Sequence, residues 1–221
     1  MESDGSQQVF IPVSEGRLTL PGDLGLPAAA SGLVIFAHGS GSSRLSPRNR
    51  MVAANLRRAG FATLLFDLLT LKEAGERANV FDIALLAGRT TEAVRWARSN
   101  PETSTFRIGL FGSSTGAAAA LVAAARLPGA VSAVVSRGGR PDLAAESLPQ
   151  VKAPTLLVVG GADDVVIELN EAALQHLTCD RRLQIVPGAT HLFEEPGALD
   201  TVVALASGWF ADHLGAKARG G

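Results

Sequence analysis

Two rhythms of apolar positions alternate along the chain. One is the short apolar-rich run, continuous at Leu33–Ala37 and recurring at Phe61–Leu69, Phe106–Phe111, Val131–Ser136, Pro154–Val159 and Leu183–Val186. Runs of this length predict strands, and the continuous one at Leu33–Ala37 predicts a central strand buried from both sides. The other is helical spacing. In Asn49–Ala59 the residues Met51, Val52, Leu56 and Ala59 share one face while Arg50, Arg57 and Arg58 lie elsewhere, and Gly60 stands where a helix C-cap belongs. Further helices are predicted over Phe81–Arg98, Thr115–Arg126, Val165–Leu177 and Leu199–Leu214. Ahead of them, Val9–Val13 and Arg17–Leu20, split by Ser14-Glu-Gly16, predict a β-hairpin. Strands alternating with helices imply one α/β domain built on a mostly parallel sheet with helices on both faces. Leu71–Asn79 and Arg137–Gln150 carry no clear rhythm, apart from a short segment Pro141–Leu148. Both follow strands, so both are expected over the carboxyl edge of the sheet, where such folds bind ligands.

Composition narrows the class. At 221 residues, 47% hydrophobic and 19% charged, the chain suits a single globular domain, with residues 1–8 and 215–221 expected to fray. A formal charge of −1 and a pI near 6.4 give no electrostatic reason to expect nucleic acid or an anionic membrane as partner. The single cysteine, Cys179, excludes an intramolecular disulfide and a multi-cysteine metal site. The acidic, polar start Met1-Glu-Ser-Asp-Gly lacks the basic stretch and apolar core of a signal peptide, so a cytoplasmic setting is expected.

The chemistry concentrates at Gly112-Ser-Ser-Thr-Gly116, a G-x-S-x-G pattern between the strand ending at Phe111 and the alanine-rich run from Ala117. A strand, a sharp turn and a helix can hold the apex hydroxyl, Ser114, in a strained, exposed position where a base can activate it. Of four histidines, His191 lies between the last strand and the last helix, at the same sheet edge as Ser114. His38 is expected to fix its own loop by hydrogen bonds; His176 and His213 fall late in helices. Asp163 follows the Pro154–Val159 strand by a glycine-led turn and is the candidate to orient His191. Its neighbour Asp164 competes, with the alternative role of a first-turn residue facing the helix dipole. The order Ser114, Asp163, His191 is that of a catalytic triad on an α/β-hydrolase scaffold. Two backbone donors are expected for a developing oxyanion. One is the Thr115 amide at the helix start, and the other is the Ser40 amide of His38-Gly-Ser-Gly41, with Gly39 or Gly41 as alternatives.

With these residues together, the chain resembles the α/β-hydrolase superfamily and, within it, the dienelactone hydrolase-like group of small proteins, from about Val9 to Leu214. The phrases that carry the resemblance are His38-Gly-Ser-Gly-Ser-Ser-Arg44, Phe66-Asp-Leu-Leu-Thr70, Leu110-Phe-Gly-Ser-Ser-Thr-Gly116, Ser136-Arg-Gly-Gly-Arg-Pro-Asp142 and Val159-Gly-Gly-Ala-Asp163. The resemblance implies an eight-stranded sheet and a hydrolase without cofactor or metal, with Ser114 as nucleophile and His191 as base. One departure matters: dienelactone hydrolases proper carry cysteine at the apex, whereas this chain carries serine, and Cys179 lies after a helix. Esterase-like chemistry on another acyl substrate (an ester, lactone or thioester) is therefore implied rather than dienelactone turnover. The same triad also serves acyltransferases and perhydrolases, and a non-catalytic ligand-binding domain on this fold is the alternative from another class.

The segment between Val131–Ser136 and Pro154–Val159 is too short for a sizeable cap domain, so an open site for small-molecule substrates is expected. Leu68, Leu69, Phe81, Leu192 and Phe193 are candidate apolar walls, though each also suits ordinary packing. Arg137 and Arg140 follow a central strand at the catalytic edge. They read either as forks for an anionic substrate group or as local ion pairs with Asp142 or Glu146. Asp67 reads as a loop-organising carboxylate.

Overall fold

The computed structural model describes residues 5–215. Eight strands form one sheet in the order β1-β2-β4-β3-β5-β6-β7-β8. β1 (Ser6–Val13) and β2 (Leu18–Gly25) form the predicted hairpin, longer than the apolar pattern alone indicates. Its turn holds Ser14, Glu15 and Gly16 at φ of 52°, 59° and 80°, which matches the right-handed twist of the paired strands. Ser6–Gln8 belongs to β1 rather than to a frayed end; residues 1–4 and 216–221 lie outside the described residues. β2 joins β4 (Ala62–Phe66) antiparallel. β3 (Leu33–Ala37), β5 (Ile108–Ser113), β6 (Val131–Arg137), β7 (Thr155–Gly160) and β8 (Arg181–Val186) continue the sheet in parallel.

Side chains of the central strands alternate between two cores. On one face, Leu33, Ile35, Leu110, Val134 and Leu157 pack with α4 (Ile83–Ser99) and α5 (Thr115–Arg126). On the other, Val34, Phe36, Phe111, Val135 and Val158 pack with α1 (Pro47–Arg58) and α7 (Ala198–Leu214). A strand covered on both sides has no polar face, which explains the unbroken apolar run of β3. The stretch Leu71–Asn79, unassigned from the sequence, holds one single-turn helix, α2 (Leu71–Ala74), and most of a second, α3 (Arg77–Val80). The first is held by a reciprocal capping box between Thr70 and Glu73. Pro141–Gln150 is a 3₁₀ stretch, and α6 (Asp164–His176) follows β7. Among the described residues no helix is long and apolar enough to cross a membrane.

The β5–α5 junction is a close backbone approach. A Cβ at Gly112 would collide with the Ala117 backbone, and one at Gly116 would meet the Ala37 and His38 carbonyls. The missing side chains let α5, buried along Thr115–Ala124, sit on β3 and β5. Gly116→Ala is expected to destabilise the protein by about 1–3 kcal/mol, as overpacking against rigid backbone does. An unchanged urea midpoint would show that the backbone yields instead.

Candidate active site

Strand ends and the loops that follow them deliver the site. At the end of β5, Ser114 adopts φ 50°, ψ −122°, a conformation that non-glycine residues hold only under strain, and it stands at the N-terminus of α5. Its neighbour Ser113 turns the other way, donating from Oγ to Asn49 Oδ1 at 3.1 Å. Asp163, at the N-terminus of α6, accepts from His191 Nδ1 at 2.7 Å through Oδ2, while Asp164 faces solvent in the first turn. This bond orients the imidazole so that Nε2 is the free nitrogen. Ser114, His191, Ser40, Asn49, Arg48 and Arg137 line one cavity of about 210 Å³.

The loop after β3 is braced from three directions. His38 is buried; its Nδ1–H donates to the Gly39 carbonyl and its Nε2 accepts from the Leu68 amide, both at 3.0 Å. Arg44 donates to both Asp67 oxygens at 2.8 Å, once from its amide and once from its guanidinium, so Asp67 organises the loop as expected. The third brace departs from expectation. The Ser40 amide donates to Thr115 Oγ1 at 2.9 Å. The Thr115 hydroxyl therefore has a role of its own, pinning the loop to the start of α5, and the Ser40 donor is occupied in the resting structure.

A second, larger cavity of about 680 Å³ adjoins this loop on the β4 side, lined by Leu68, Leu69, Thr70, Leu71, Val80 and Leu86 among others. Gly39, Ser40 and Ser42 border both cavities. Its α2 wall is anchored from behind. The buried Arg89 donates to Glu73 Oε1 at 2.9 Å and to Ser14 Oγ at 2.7 Å. Burial pushes the Glu73 carboxyl up, yet the Thr70 hydrogen bonds and the Arg89 charge outweigh it and hold it below the usual range.

Four sequence candidates part company here. Leu69 is buried and lines the larger cavity. Phe193 is no wall: it is fully buried in the α1/α7 core at φ 56°, because the tight turn after His191 points its ring inward. Arg140 is taken by Asp142, bonded at 2.9 Å and 2.7 Å. Arg137 makes no such pair. Only 7% exposed, it stacks its guanidinium over Phe193 at 5.9 Å, and among the described residues its Nε and Nη1 find no hydrogen-bond partner. Of the other apolar candidates, Leu68 lines the larger cavity, Leu192 the smaller one, and Phe81 is half-exposed. Cys179 is half-buried beside Thr155 of β7 and lines neither cavity, and burial pushes its thiol up. Arg48 and Asn49 carry no motif that marks them in the sequence. Their one signal is position: the first turn of α1, directly after the β3 loop, faces the same edge as every other site residue.

The sequence model described as "Dienelactone hydrolase family" matches residues 20–209. Two curated Mycobacterium tuberculosis proteins, each named "Putative phosphoribosyl transferase", are 57% identical over 204 residues, covering 92% of this chain. The chain spans about half their length, 46%. A crystal structure of a dienelactone hydrolase from Anabaena variabilis is 56% identical with a TM-score of 0.90, over 95% of this chain and 99% of that one. A Xanthomonas campestris α/β serine hydrolase described as without lid shares the fold at 21% identity and a TM-score of 0.77, over 98% and 99% of the two chains.

The brace at His38 makes stability depend on pH. Burial lowers the His38 pKa below the ordinary 6.5, outweighing the Gly39 carbonyl and the Asp67 charge, which raise it. As pH falls the unfolded chain binds this proton first. The contribution is therefore fully present above about pH 6.5 and is lost below it, by at most about 1.4 kcal/mol per pH unit for one proton. Urea unfolding at pH 7.5 and 5.5 should show a larger loss in the wild type than in His38→Asn; equal losses would clear His38.

Proposed function

We propose a function from one premise: the chain belongs to the dienelactone hydrolase family. Within it, the reading best supported is a serine hydrolase that cleaves carboxylic esters, lactones or thioesters through an acyl-enzyme. One observation carries it: an apex serine strained to φ 50° shares a cavity with a histidine that a carboxylate orients at 2.7 Å. Ser114 Oγ attacks the carbonyl carbon as His191 Nε2 takes its proton. Asp163 holds the imidazole in the required tautomer and stabilises the imidazolium that forms. His191 then returns the proton to the leaving alcohol or thiol. Water, deprotonated by the same nitrogen, cleaves the acyl-enzyme and regenerates the serine.

Negative charge on the carbonyl oxygen falls near the positive end of α5, where the Thr115 amide is the first donor. The Ser40 amide is the second. In the resting state it rests on Thr115 Oγ1, and it turns to the oxyanion as charge develops. The larger cavity, walled by Leu68, Leu69, Val80 and Leu86, receives an apolar part of the substrate. The name carried by the M. tuberculosis relatives belongs to proteins about twice the length of this chain, and the hydrolase reading rests on the site found here.

Ser114→Ala is expected to keep the fold and to lose both fluorophosphonate labelling and ester turnover. Retained turnover would sink the nucleophile assignment. Asp163→Asn should lower kcat by on the order of 10³–10⁴, because the imidazole then settles in the wrong tautomer. A loss below tenfold would transfer the orienting role elsewhere.

A further inference from the structure

Arg137 is costly where it stands. Side chains this buried are almost always paired when charged, because a lone cation in a low-dielectric site forfeits its hydration. Among the described residues its Nε and Nη1 make no hydrogen bond and no carboxylate forms an ion pair with it. Burial, and then the neighbouring Arg48 charge, pull the guanidinium down to about 10, so it remains charged at neutral pH. Arg48 lines the same cavity. It is pinned at one end by Glu194, at 2.7 Å, and its own buried Nε has no partner among the described residues.

Register explains the pairing of these cations with the chemistry. Arg137 stands opposite Ser113 across β5 and β6, and its carbonyl accepts from the Ser114 amide at 3.3 Å. Both residue 113 and residue 137 send their side chains to the α1 face, where Arg48 and Asn49 begin the helix. The cations thus sit on the β6 side of the β3 loop and the 680 Å³ apolar chamber on its β4 side.

We propose that Arg137 and Arg48 form an oxyanion-binding subsite of the catalytic cavity, and that the substrates are esters or thioesters bearing a carboxylate or phosphate a few bonds from the scissile carbonyl, with their apolar part on the opposite side of the β3 loop. The inference deepens the hydrolase reading and rests on it. A planar guanidinium with unspent donors matches either oxyanion, and substrate binding supplies the partner that the fold withholds.

The test compares kcat/KM for p-nitrophenyl hemiglutarate, p-nitrophenyl 4-phosphonobutyrate and the neutral p-nitrophenyl hexanoate. The wild type should favour one or both acidic esters, and which one it favours identifies the anion. In Arg137→Met the acidic-to-neutral ratio should fall by about 10- to 100-fold, the worth of a charge-assisted hydrogen bond. Arg48→Met should shift it in the same direction. An unchanged ratio in both variants overturns the subsite. Thermal unfolding supplies a readout that a structural arginine would move the other way. Removing an unpaired buried cation should raise the Tm of Arg137→Met, by about 2–4 °C for each kcal/mol gained, whereas a fall would assign Arg137 to the fold. Inorganic phosphate or glutarate should also raise the Tm of Ser114→Ala, and not of Ser114→Ala/Arg137→Met. If these anions stabilise the protein while Ser114 resists fluorophosphonate, the subsite stands and the hydrolase reading falls. If Ser114 is labelled and the anions have no effect, the hydrolase reading stands and the subsite falls.

Discussion

The turn at Ser114 exists because no side chain stands between α5 and the backbone of β3 and β5. Gly112 and Gly116 bracket the apex, and a Cβ at either position would run into main chain. Close approach lets α5 start immediately after the strand, which throws Ser114 to positive φ and aims the first amides of the helix at the space above the sheet. The same proximity places Thr115 Oγ1 against the Ser40 amide. Without it the β3 loop would lose its anchor on the elbow, and the two cavities would lose the wall they share. The alanine run that follows is then a packing necessity, since Thr115–Ala124 is buried along its whole length.

Around this turn the molecule stiffens its scaffold and leaves groups of the candidate site under-satisfied. His38, Asp67 and Arg44 tie the β3 loop to the end of β4, and Arg89 ties α2 to the hairpin turn. These polar contacts hold loops which no continuous core could hold. The candidate site shows the opposite pattern: a serine at strained φ, and an arginine whose Nε and Nη1 have no hydrogen-bond partner among the described residues. Local energetic conflicts of this kind are expected where binding a substrate supplies what folding does not. The strain is tolerable because it is confined to one edge, above two cores whose strands alternate side chains between α4/α5 and α1/α7.

Much of this is legible in the order of residues. Strand–helix alternation follows from apolar periodicity, and periodicity is local; the parallel sheet, the elbow and the Ser114–Asp163–His191 order come with it. What stays hidden depends on partners distant in sequence. Thr115 looks useful only for its amide, because nothing in the chain announces that residue 40 ends 2.9 Å from its hydroxyl. Phe193 looks like a pocket wall until the turn after His191 rotates it into the core. Arg137 and Arg140 are equivalent as letters. Three residues apart, they differ because one lies beside Asp142 in the same turn and the other points from β6 into the α1 layer. Arg48 gives no sign of itself because helix starts are ordinarily solvated, and only the sheet order brings this one beside the elbow.

The amino-acid sequence by itself determined the fold class and the candidates for nucleophile, acid and base, because both are written in short-range patterns: apolar spacing, and a turn whose glycines must flank its serine. Tertiary structure decided which cations keep unpartnered donors among the described residues, which amides are already occupied and on which side of the β3 loop apolar space opens. Those are questions of pairing across strands, and a pairing is set by register and burial, which no local pattern contains.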